Sequence, residues 1–168
     1  MKQITLIALL LGGLFNHLNV QAAATWATVS LRGKLIVPAP PATCTLSMSS
    51  NSVHFGDVLS SRIDGYTYRR MPLPYTLACD RTPNGALTIT LSGTPATFGG
   101  GSGVLRTSIN NLGVAFYNGN VQLTLNNALA FSYTNQPTLF AVPTKAAGAT
   151  FSTGGYFTAA ATLIVNYS

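Results

Sequence analysis

The chain has 168 residues, 47% of them hydrophobic, and it carries nine Lys and Arg against three acids for a net charge of +6. That balance could serve nucleic acid, but only Arg69 and Arg70 are adjacent. No basic helix interleaved with aromatics exists, so nucleic acid is excluded as a partner and the basic surface is read as serving charge complementarity with other partners.

Taken from the start, Lys2 precedes an apolar run from Ile4 to Phe15, a more polar stretch and the small residues Ala22-Ala23-Ala24. This is the pattern of a secretory signal peptide. The apolar run falls short of the roughly 20 residues that a membrane-spanning helix needs. Residues 1–22 are therefore expected to be removed, with cleavage after Ala24 fitting equally well. The remainder has the length of one ordinary domain.

Directly after this leader, Val29, Leu31, Gly33, Leu35 and Val37 alternate with Ser30, Arg32, Lys34 and Ile36. Period 2 places the first set on one face of an extended strand. A glycine within that face leaves room where a partner approaches closely. Pro38, Pro40 and Pro41 then interrupt pairing. Read alone, the segment is equally an ordinary first strand of the domain's own sheet.

Cys44 and Cys79 are the chain's two cysteines. In an oxidising export compartment an even pair reads as a disulfide. After the leader a single histidine remains, His54, too few ligands for a metal site. No metal and no cofactor is expected.

The body reads as short strands. Leu87 to Leu91 alternates and follows the turn signal Pro83-Asn84-Gly85; Leu112 to Tyr117 leads through Asn118-Gly119 into Val121 to Leu125, a hairpin signature. Gly99 to Gly103 is a connecting loop, without the Lys and following helix of a phosphate loop. Thr138 to Pro143 is a further short run, and Tyr156 to Tyr167 a long one. No segment sustains a helical period over three turns. The fold class expected is all-β, an antiparallel sandwich of immunoglobulin type.

At the end of the chain Phe157, Ala159, Ala161, Leu163, Val165 and Tyr167 alternate without a break, Gly155 lies in the same phase fourteenth from the end, and Tyr167 is penultimate. Together these residues resemble the chaperone-recognition motif of chaperone–usher pilins. Leu31 to Pro38, ahead of the first cysteine, resembles the donor extension of type 1 and P pilus subunits. Gly113-Val114-Ala115-Phe116 and Pro143-Thr144-Lys145 are similar to that family's central strand and late Pro-x-Lys element.

The resemblance implies an incomplete immunoglobulin-like sandwich, completed by a donor strand from a neighbouring subunit. Residues 23–41 become the donor extension and 42–168 the pilin domain. Val29, Leu31, Gly33, Leu35 and Val37 become the donated face, with Gly155 to Tyr167 the strand that a chaperone and then a neighbour pairs with. It further implies neighbouring fimbrial subunits, a periplasmic chaperone and an outer-membrane usher as partners, and export through the periplasm to a cell-surface fimbrium. The three prolines and the low acid content favour a minor or adaptor subunit supporting adhesion over a major rod pilin.

Two other classes compete. An enzyme needs a cluster such as Ser-His-Asp or paired carboxylates, and His54 with three scattered acids makes a poor one. A small outer-membrane β-barrel fits the length, but such chains generally end on an aromatic, whereas Ser168 follows Tyr167. Within the fimbrial class, the length leaves no room for a lectin domain, and a base terminator would lack the donor extension.

Overall fold

The computed structural model describes residues 28–38, 40–99 and 103–167. The expected signal peptide lies outside them. The chain divides into two units, Met1–Pro38 and Ala39–Ser168. In the first, residues 28–38 form no strand and their apolar side chains are exposed, with Leu31 90% and Leu35 88% accessible.

The second unit is built of β1 (Cys44–Met48), β2 (Met71–Pro72), β3 (Tyr75–Cys79), β4 (Leu87–Gly93), β5 (Val104–Arg106), β6 (Leu112–Asn118), β7 (Val121–Gln122), β8 (Ala128–Phe131), β9 (Leu139–Lys145) and β10 (Ala161–Asn166). Among the described residues the only helical piece is a short 3-10 turn at Ser60–Arg62. All pairings are antiparallel. β1 pairs β3; β4 lies between β10 and β8; and β2, β9, β6 and β5 follow one another, with β7 also on β6.

Alternation explains these sheets. In β4, Leu87, Ile89 and Leu91 are buried while Thr88, Thr90 and Ser92 face outward. Ile89 and Leu91 meet Val114 and Phe116 of β6, Leu105 of β5 and Leu139 and Ala141 of β9, so one core joins the β4 sheet to the β6 sheet. β6 is buried on both faces because Ala115 and Tyr117 pack on the far side against Val142 and Phe140. The loop before β2 covers that side. Tyr117 donates to the Gly65 carbonyl at 2.7 Å, and the Arg70 guanidinium sits 4.3 Å from the Phe140 ring centre.

Two local readings shift. The hairpin after β6 pairs Asn118 with Val121, so its loop is Gly119-Asn120 rather than Asn118-Gly119. Gly119 takes the positive φ that this turn requires at its first central position. The long C-terminal run is a strand only over Ala161–Asn166, because its partner β4 ends at Gly93, opposite Ala161. Beyond Gly93 the chain turns to Leu105 and Val104 through Pro95 and Ala96. Upstream of β10, Thr158 is held by Ser108 instead.

Candidate functional site

β1 has a strand partner on one side, β3, and β10 has one on one side, β4. Their other edges face each other across a gap that is closed at two points. At one end the Cys44 N–H donates to the Tyr167 hydroxyl at 3.4 Å. At the other, Phe55 and Phe157 stack with ring centres 6.0 Å apart. Among the described residues no main-chain hydrogen bond joins 44–58 to 155–167.

The floor of the gap is apolar. Leu163 and Val165 of β10, with Phe55 and Phe157, are only part-buried yet rest directly on the core. Leu46 and Met48 line the β1 side, each half-buried. Two open main-chain edges over half-covered apolar side chains have the makings of a missing strand: unpaired N–H and C=O groups to satisfy, and a hydrophobic stripe to cover.

Beside the Phe55–Phe157 stack the gap widens into a cleft of about 790 Å³. Val53, Phe55, Val58, Leu59 and Ile63 form one wall and Phe151 to Phe157 the other, with Ile109 and Leu112 between them. Gly154 and Gly155 add no side chain to that wall, and the space where a Cβ would project is open at both. Asp57, His54 and Tyr156 are the ionisable lining groups, and His54 Nε2 lies 2.9 Å from Ser52 Oγ.

The wall is held from outside. Tyr68 accepts the Leu59 N–H at 3.1 Å, and that bond, with Arg69 and Arg62 beside the ring, keeps its hydroxyl below the ordinary pKa despite some desolvation. Asp64 anchors the same loop. Its desolvation acts upward, but hydrogen bonds from the Thr67 hydroxyl and the N–H groups of Tyr66, Tyr68 and Thr67 outweigh it and hold the carboxyl well below 3.8.

The C-terminal residues singled out from the sequence therefore fall along one side of the gap: Gly155 and Phe157 at the cleft, Ala159 and Ala161 exposed, Leu163 and Val165 on the floor, Tyr167 at the closed end. Cys44 and Cys79 form a disulfide at the start of the β1–β3 ladder. Val29, Leu31, Gly33, Leu35 and Val37 lie in the other unit, the four side chains exposed and Gly33 with open space around it. Sequence reasoning missed the opposite wall. The half-buried side chains run in even positions through Leu46 and Met48 and resume in odd positions at Val53 and Phe55, so the phase change across Ser49–Ser52 hides one continuous lining.

A family model described as fimbrial protein matches residues 29–168. The uncharacterized fimbrial-like protein YfcR of Escherichia coli (strain K12) is 34% identical over 153 residues, covering 89% of this chain and 86% of the relative. YfcQ of the same organism is 34% identical over 134 residues, 76% of this chain and 80% of that one. Among solved structures, the P pilus rod subunit PapA superposes with a TM-score of 0.61 at 20% identity, over 77% of this chain and all of PapA. The P pilus adaptor subunit PapF gives 0.53 at 26% identity, over 77% of this chain and 97% of PapF.

Proposed function

The chain belongs to the fimbrial protein family as a chaperone–usher pilin with the incomplete immunoglobulin-like fold of that class, and from this premise we propose that it joins its neighbours by exchanging strands. The groove between β1 and β10 receives the N-terminal strand of one neighbouring subunit. Residues 29–37 fill the groove of the next. The observation that carries this reading is the pair of unpartnered edges facing each other over part-buried Leu163, Val165, Phe55 and Phe157.

The donated segment is chemically suited to such a groove. Main-chain bonds supply affinity and alternate side chains supply fit, as in other strand additions. Covering Val29, Leu31, Leu35 and Val37 at roughly 1.5–3 kcal/mol each gives about 6–12 kcal/mol before ordering costs. Separation then amounts to partial unfolding, so the joint persists kinetically as well.

Before assembly the same edges invite aggregation. A periplasmic chaperone lends a strand along β10, and an outer-membrane usher is where a neighbour's extension replaces it on the way to the surface fimbrium. Within the fibre the subunit is a minor or adaptor component supporting adhesion. What favours this is the low acid content and the prolines at 38, 40 and 41.

Co-expression of the chain with periplasmic chaperones tests the reading. A stable one-to-one complex is expected. A chain that remains soluble and folded by itself, with no chaperone bound, contradicts it.

A further inference from the structure

Residues 40–43, where the extension runs into β1, form no strand. Pro40 and Pro41 have no N–H, so this stretch cannot be zipped onto a sheet edge by a ladder. Side chains from the turn after β3 take over. Asp80 Oδ1 accepts the Thr43 N–H at 2.8 Å while the Asp80 N–H donates to the Thr43 carbonyl at 3.0 Å. Arg81 bridges Pro40 and Asp80: Nη1 donates to the Pro40 carbonyl at 3.2 Å and Nη2 pairs with Asp80 Oδ2 at 3.1 Å. One residue further on, Cys44 is bonded to Cys79.

We propose that Asp80 and Arg81 are positioning residues: a two-residue clamp that fixes the point at which the N-terminal extension leaves the domain. An exposed Asp–Arg pair contributes little by itself. Here its four polar contacts converge on two main-chain groups of Thr43, one of Pro40 and each other, and the disulfide backs them covalently. Tension on the extension then enters β3 through the clamp and the Cys44–Cys79 bond, instead of peeling Thr43 and β1 away residue by residue. The role rests on the strand-exchange reading above, since only a donated extension carries load.

The test is amide hydrogen exchange on the full chain, with and without a synthetic peptide of residues 28–38 filling the groove, in wild type, Asp80→Ala and Arg81→Ala. Faster exchange at Thr43 in both variants is expected, with β3, β4 and β10 amides unchanged and the peptide captured as in wild type. Arg81→Lys, which cannot bridge Pro40 and Asp80 with a planar fork, should fall between. Unchanged exchange at Thr43 overturns the clamp. So does a rise spread through β1, β3 and β4, which marks the pair as ordinary stabilisation. Failure of wild type to capture the peptide counts against the groove reading instead, and exchange at Thr43 is still read on the chain alone.

Discussion

The Tyr167 hydroxyl takes the main-chain N–H of Cys44 across the mouth of the groove, so the penultimate residue of the chain closes the end at which β1 begins. This contact joins two strands that share no ladder, and it lies at the disulfide. Tyr167→Phe removes the acceptor but keeps the ring, and should cost at most about 0.5–1.5 kcal/mol in urea denaturation of the subunit on its own. Tyr167→Ser also removes the apolar ring, and should lower the amount of subunit recovered with its chaperone from periplasmic extracts. Equal recovery of both variants would speak against the ring's role.

Gly33 separates giving a strand from receiving one. Nothing lies within 4 Å of where its Cβ would project, so Gly33→Leu meets no obstacle in its own subunit. Chaperone capture and melting temperature should therefore stay at wild-type values. Donation should fail, because a bulky side chain would face the floor of the neighbour's groove. A mixed assembly assay, with the variant as donor only and as acceptor only, reads the two roles apart.

Gly113 is fixed by packing alone. A Cβ there would run into Val104 Cγ1 and lie 2.9 Å from the Leu105 carbonyl oxygen, while the residue's φ is not positive. Gly113→Ala should therefore destabilise through overpacking between β5 and β6, by about 1–3 kcal/mol in urea unfolding. Gly119→Ala, at a positive φ with open space around it, should cost less and act through the turn.

Asp64 predicts an acid sensitivity. Its carboxyl is held below the unfolded value of 3.8, so the ionised form stabilises the fold above that pH, and the contribution is lost as pH falls toward the depressed value. Asp80 is lowered in the same direction, chiefly by the Thr43 N–H, and adds to the same acid limb. Denaturation midpoints followed downward from about pH 5 should fall less steeply in Asp64→Asn than in wild type. Parallel curves would contradict this assignment.

The strands were legible where apolar and polar residues alternate on a single sheet face. Leu87 to Leu91 and Leu163 to Val165 are such cases, and the pairing of Cys44 with Cys79 follows from there being two cysteines in an exported chain. The walls of the groove were less so. Tyr156 to Ala160 alternates as cleanly as the strand it precedes, yet it forms no ladder, since strand formation needs a partner and β4 has already turned away at Gly93. Val53 to Ile63 lacks sustained alternation and is shaped by Tyr68 and Asp64, whose hydrogen bonds depend on folded geometry. The Asp80–Arg81 clamp was equally invisible, because its partners are main-chain groups of Pro40 and Thr43, some forty residues earlier in the chain.

The central claim, that a foreign strand completes the sheet between β1 and β10, is tested most directly by hydrogen exchange of the subunit before and after a peptide of residues 28–38 is added. New protection is predicted along β10 and along Cys44–Met48, the two edges that have no partner on the groove side, with less protection from a peptide carrying Gly33→Leu. Binding that protects neither edge, or protects the outer edge of β5 or β8 instead, would contradict it.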